Sequence, residues 1–419
     1  MLFSRLSIQL KITLLAGLCL LAIVAVLVSA SVIQASRSAS LVKQASSAML
    51  QESAQLRMSA RGESQALQMQ RYFMDAYQYG RGAATQVLFI REQAEKRFLD
   101  AFDLREDLTR QVRSALEANR SLLGIYVVFE PNALDGKDDL FTDQENLGSN
   151  DKGRFSIYWA QGDDGELSAE AMKEADLNDA TPGISGAPYN AWYSCPLQQK
   201  KVCLLDPYID EADGVKTLMT SIAFPLEQGG KVIGVLGVDI SLASLQELST
   251  SAHQGLFDGA GHVSIISPAG LLAGHSRDSS LLGGKLEKAF ADQHREMTSL
   301  VASNRPEVLH HDGALQVLQP LLPIPESQPW GVLMEVPEKV LLEPATRLET
   351  QMDEMGTRST AVSLGLGLAA GVVGILLIWL TALGVTRPIL GVAAMLKNIA
   401  SGEGDLTRRL EYAKQDELG

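Results

Sequence analysis

VKTLMTSIAFPLEQGGKVIGVLGVDISL, residues 215–242, is the stretch on which the fold turns. Two runs rich in Val, Ile, Leu and Thr flank EQGG, and a glycine pair between such runs supplies the positive φ that a tight hairpin needs. The stretch therefore reads as two antiparallel strands. Asp239 sits inside the apolar GVLGVDISL, where a lone carboxylate is costly to bury unless a partner or a ligand meets it. Outward from the hairpin, SLLGIYVVFEPN (121–132) and GRFSIYW (153–159) share the β-branched and aromatic character of strands and end in turn residues. After a helical SLASLQELS segment, HVSIISPAGLLAGHS (262–276), ALQVLQPLLP (314–323) and WGVLMEVP (330–337) repeat the pattern, with a helix expected around 284–303. The expected fold class is α+β, with antiparallel-sheet modules in tandem at 101–243 and 244–340. The second has fewer polar groups able to converge on a ligand.

Upstream, residues 34–100 contain no proline and place apolar residues at helical spacing among Ala, Gln, Ser, Leu, Met and Arg. They read as one long helix, and helical patterning continues through 103–119. At about 1.5 Å per residue such a helix exceeds what a compact domain needs, so it acts as a stalk or packs along the whole exported region. A chain of 419 residues with 46% hydrophobic content calls for more than one folding unit. Lys+Arg 36 against Asp+Glu 50 gives a formal charge of −14. That balance argues against a nucleic-acid partner, which needs a basic footprint, and suits cationic ligands.

Two uncharged apolar runs, 12–33 and 361–385, are each long enough for the roughly 20 residues that cross a bilayer core. The first is longer than a signal-peptide core of about 7 to 15 residues and lacks a small-x-small cleavage site, so it reads as a retained anchor. Arg5 and Lys11 precede the first run, and Arg387, Lys397, Arg408 and Arg409 follow the second. Both ends are therefore expected in the cytoplasm, 1–11 and 386–419, with 34–357 outside the inner membrane in the periplasm. Of the three cysteines, Cys19 falls within a span. Cys195 and Cys203 fall in the exported part, where thiols oxidise. A Cys195–Cys203 disulfide is expected, contributing on the order of 2 to 3 kcal/mol through chain entropy; metal binding is the weaker rival, since no histidine lies near in sequence.

The order of span, long helix, two sheet modules, span and then RPILGVAAMLKNIASGEGDLTRRLEYAKQDELG (387–419) resembles a bacterial chemoreceptor. The family is the methyl-accepting chemotaxis proteins with a periplasmic double Cache (tandem PAS-like) sensor. The resemblance is carried by PNALDGKD (131–138), by WY, PYID and GVLGVDISL between 192 and 242, and by the closing stretch, which is similar to the start of a HAMP linker, with Pro388 opening a helix. It implies a homodimer and continuation beyond residue 419 into a cytoplasmic output that engages a chemotaxis kinase and coupling protein. A histidine kinase or diguanylate cyclase output shares the same exported architecture, and an adhesive exported protein would have little use for a HAMP linker.

Amino-acid-sensing members of that family carry R-x-W-Y, then Y-x-D, then an aspartate after a G-V-x-G strand. Here Trp192, Tyr193, Tyr208, Asp210 and Asp239 stand at the matching positions, but the arginine position is Asn190. An amide cannot supply the bidentate grip on a carboxylate that arginine provides. Two carboxylates and a set of aromatic faces remain, and these attract an ammonium group. The resemblance therefore implies a small amine such as a polyamine or histamine, with an amino acid as the alternative. Tyr126, Tyr158, Trp159 and Tyr189 are further candidates for the same pocket. Asn132 and Asp135 read as turn formers. The six histidines fall in no HExxH pattern and read as surface residues. No nucleophile elbow in its strand-to-helix setting, no phosphate-binding loop and no cofactor motif points to an enzyme.

Overall fold

The computed structural model describes residues 7–162 and 164–400. Helix α1 runs Ile8–Arg97 and α2 Ala101–Ala118, the latter capped by Asp100, whose carboxylate accepts from the Phe102 amide at 2.8 Å. Then come β1 (Gly124–Phe129), β2 (Ser156–Gln161), β3 (Leu167–Ala171), α3 (Glu174–Leu177), α4 (Ala191–Gln199), β4 (Cys203–Leu204), β5 (Tyr208–Ala212), β6 (Val215–Gln228) and β7 (Lys231–Ser241). The second module follows with α5 (Leu242–Gln254), β8 (His262–Ile266), β9 (Leu272–His275), α6 (His294–Ser303), β10 (Glu307–His311), β11 (Ala314–Leu321) and β12 (Trp330–Pro337). Helices α7 (Glu338–Leu341) and α8 (Glu343–Ala400) complete the described chain.

The chain divides into two compact units, Met1–Leu50 with Leu342–Gly419, and Gln51–Leu341. In the first unit, α1 and α8 each contain a segment long and apolar enough to cross a membrane. Leu18 and Leu368 stay 69% and 72% exposed, and Lys43 Nζ lies 3.2 Å from Glu349 Oε2. Helix α8 passes through Pro388 without a break, so that proline lies inside a helix rather than opening one; it removes one backbone bond but does not end the helix. The expected linker reaches only to Ala400 here, and 401–419 lie outside the described residues.

In the second unit, seven strands form an antiparallel sheet in the order β3-β2-β1-β7-β6-β4, with β5 also pairing with β6. The other sheet has the order β10-β11-β12-β8-β9. The part of α1 beyond Gln51 lines one face of both sheets. Phe73 meets Trp330 at 5.2 Å between ring centroids, and Tyr77 meets Phe224 at 5.6 Å. Strands β3, β5 and β10 escaped the sequence pattern because their exposed polar residues carry no alternation. The 262–276 segment splits into two strands around a turn, and the helix expected from 284 begins at His294. His275 is not a surface residue: it is 4% exposed, and its Nδ1 hydrogen-bonds Ser264 Oγ at 2.8 Å.

Candidate ligand-binding site

The floor of the site is the face of the seven-stranded sheet turned away from α1. Side chains alternate along a strand, so Tyr126 and Tyr158, paired across β1 and β2, share that face with Asp239 of β7. Two glycines make room for the rings. A Cβ on Gly237 would lie 2.0 Å from the Tyr126 ring, and one on Gly124 would lie 2.4 Å from the Tyr158 ring. The glycines of the GVLGVD strand thus let tyrosine rings lie flat across the sheet beside Asp239.

Asp239 is 2% exposed. The Tyr208 hydroxyl donates to Ser221 Oγ at 2.7 Å, and Ser221 Oγ donates to Asp239 Oδ1. One hydroxyl bond is little compensation for a buried carboxylate. Burial, with the nearby Asp210 adding to it, pushes the Asp239 carboxyl up to about 7 against the opposing Ser221 bond. Asp210, on β5, is also raised, chiefly by burial. It accepts from the Tyr189 hydroxyl and from the Glu211 amide. Burial and Asp210 together raise Tyr189, which stays a proton donor.

Helix α4 forms the wall. Its first turn places Trp192 over Tyr126, with centroids 5.1 Å apart and planes at 75°, and the Tyr126 hydroxyl donates to the Trp192 carbonyl at 2.8 Å. A Cys195–Cys203 disulfide ties α4 to β4 across a Cα–Cα distance of 6.3 Å. The cavity of about 320 Å³ is lined by the rings of Tyr126, Tyr158, Tyr189, Trp192 and Tyr208. Five carboxylates surround it, Asp239 and Asp210 within and Glu170, Asp176 and Glu211 towards the rim, with Lys173 the one cation among the lining residues.

Three candidates from the sequence lie elsewhere. Trp159 follows Tyr158 on β2 and so faces the opposite side, where the Arg113 guanidinium stacks 5.4 Å from its ring. Tyr193 follows Trp192 on a helix and diverges from it by about 100°; its hydroxyl bonds Glu130 and Arg154. Asn190 is the residue before α4, and its amide donates to the Leu177 carbonyl at 2.8 Å. The sequence does not single out Glu170 and Glu211, which lie on strands β3 and β5, Asp176 on the single-turn α3, or Lys173 just before it. Only Glu211 had a local signal, its place next to Asp210 in YIDE.

Tandem antiparallel-sheet modules along a long helix, with two helices apolar enough to cross a membrane, are the class this architecture defines. Residues 108–247 match the family model described as methyl-accepting chemotaxis protein-like, first PDC sensor domain. The whole chain is 61% identical over 419 residues to the methyl-accepting chemotaxis protein TlpQ of Pseudomonas aeruginosa, of whose length it spans 59%. It is also 25% identical over 229 residues to PctB of the same organism, covering 54% of this chain and 33% of PctB. Among solved structures, the periplasmic sensory domain of the Campylobacter jejuni chemoreceptor Tlp1 aligns with a TM-score of 0.51 at 14% identity, over 68% of this chain and 95% of that one. The extracellular domain of mmHK1S-Z3, assigned as a histidine kinase, aligns at 0.54 and 21% identity over 71% and 97%. Residues 108–247 are thus similar to the first sensor domain of methyl-accepting chemotaxis proteins, the whole chain is similar to part of one such protein, and the Gln51–Leu341 unit shares the fold of the Tlp1 sensory domain.

Proposed function

We propose that the cavity binds a small cationic amine, a polyamine, histamine or a similar biogenic amine, and that the full-length protein is a chemoreceptor responding to it. The observation that carries this reading is the charge of the lining. Five carboxylates and five aromatic rings face one lysine, and Asn190 holds the backbone of Leu177 where relatives of the amino-acid type have a carboxylate-binding arginine. An ammonium between Asp210 and Asp239 gains charge-assisted bonds and the electron-rich faces of the rings. The rim acids Glu170, Asp176 and Glu211 suit a second positive group. In the full-length homodimer, occupancy passes through the second span and a HAMP linker to a cytoplasmic chemotaxis kinase and its coupling protein. A coupling free energy of about 1 to 3 kcal/mol is enough for that output.

A second reading, an amino-acid ligand, is favoured by one residue. Lys173 at the cavity can meet a carboxylate as a point charge, without the fork of an arginine. Calorimetry of the purified membrane-embedded chain against amines and proteinogenic amino acids separates the two. The amine reading expects binding by amines that Lys173→Ala leaves intact or tightens. Binding restricted to amino acids and lost in Lys173→Ala sinks it.

A further inference from the structure

Residues 178–190 join α3 to α4 and bond mainly to themselves. Gly183 N donates to the Ala187 carbonyl at 2.8 Å, Tyr189 N to the Thr181 carbonyl at 2.8 Å and Asn190 N to the Asp179 carbonyl at 2.9 Å, with a bridge between Pro182 and Pro188. A short hairpin closed by its own bonds moves as one piece. One end reaches the ligand cavity, because the Tyr189 hydroxyl donates to Asp210. The other end reaches the second module: a Cβ on Gly283, in the loop after β9, would lie 3.5 Å from Ile184 Cδ1 and 2.6 Å from Leu218 Cδ2. Beneath the hairpin, between Ile184, Pro188 and Tyr189 above and Leu204, Leu205 and Ile209 below, lies a separate cavity of about 380 Å³. Close packing elsewhere would hold such a segment still; here there is room for it to settle.

We propose that residues 178–190 are a strap, held open by Tyr189 on Asp210, through which a cation taking Asp210 is signalled to the loop around Gly283. Tyr189 is then an internal competitor for the carboxylate, an affinity-determining residue that the ligand must displace. Ile184 is the point at which the movement of the strap meets the second module. The relay by a ligand rests on the cation-binding reading of the cavity; the mechanical link between Tyr189 and Gly283 does not.

Hydrogen exchange and calorimetry on the full chain in lipid nanodiscs, with putrescine and histamine as probes, test both parts. Tyr189→Phe keeps the ring and removes the competing donor. Without any ligand it is expected to speed exchange severalfold in 181–189 and also in 279–286, and it is expected to tighten amine binding by about tenfold, the worth of one hydrogen bond to a charged group. Adding Ile184→Ala is expected to abolish the response in 279–286 while leaving that in 181–189 and the affinity unchanged. A loosened 181–189 with 279–286 unaltered in Tyr189→Phe overturns the strap even if both amines bind. If neither amine binds wild type, the amine reading falls, and the ligand-free comparison still decides the strap.

Discussion

In the seven-stranded sheet, the face away from α1 carries tyrosines, Asp239 and a cavity; in the five-stranded sheet, the matching face carries Ile266, Leu272, Leu318 and Leu333 beneath Met297 and Val301 of α6. Glycines stand on both faces but serve opposite ends. Gly237 admits the Tyr126 ring, whereas a Cβ on Gly331 would lie 2.6 Å from Val301 Cγ2, so that glycine lets a helix come down onto the sheet. One architecture thus gives a cavity where the cover stands off on aromatic rings, and a packed face where the cover closes. The difference lies in a handful of side chains, which makes it testable by exchanging effects between the two faces.

The largest effect is expected on the packed face. Met297 is fully buried among leucines and isoleucines, so Met297→Ala should cost about 2 to 5 kcal/mol of stability through lost contacts and a cavity. Amine affinity should stay at the wild-type value. Denaturant melts beside calorimetry check it, and a large loss of affinity in the folded variant would mean the second module shapes the site.

Next comes the charge in the cavity. Asp239→Asn keeps the volume and removes the buried charge, which should weaken amine binding by about 2 to 4 kcal/mol, roughly 30-fold to 1000-fold, with the fold intact. Wild-type affinity in that variant would place the ligand outside the cavity that Asp239 lines and end the contrast between the two faces.

The smallest effect sharpens the same point through pH. Asp239 titrates near 7, above the ordinary carboxylate range, so the folded, ligand-free protein holds its proton more tightly than the unfolded chain. That contribution to stability is complete below the ordinary carboxylate value and is lost as pH rises through about 7. An ammonium prefers the ionised form, so affinity should rise with pH by up to tenfold per unit below that point and level off above it. Calorimetry from pH 5.5 to 8.5 should show the slope in wild type and a flat line in Asp239→Asn. An equal slope in both would assign the titration to another group.

Much of this is legible in the sequence itself. The hairpin of 215–242, both apolar runs and the Cys195–Cys203 pairing have strong local signatures, and each appears in the structure. The burial of Asp239 also followed from its apolar strand. What failed was direction. Tyr158 and Trp159 are adjacent strand residues and so face opposite sides, and Trp192 and Tyr193, paired by the motif of the family the sequence resembles, diverge because they lie on a short helix that, with Pro196 inside it, has no amphipathic pattern to reveal it. The rim acids Glu170 on β3 and Asp176 on α3 are hidden because charged residues on edge strands and short exposed helices are ordinary solvated positions, and nothing in the sequence sets a functional one apart.

The bond between Cys195 and Cys203 also sets the order in which the protein matures. Thiols stay reduced in the cytoplasm and oxidise in compartments outside it, so α4 gains its tether to β4 only in an oxidising compartment. A chain whose thiols are still reduced lacks the tether behind Trp192, and one wall of the cavity is unfinished. Completion of the cavity wall is in that way tied to the oxidation of a single pair of thiols.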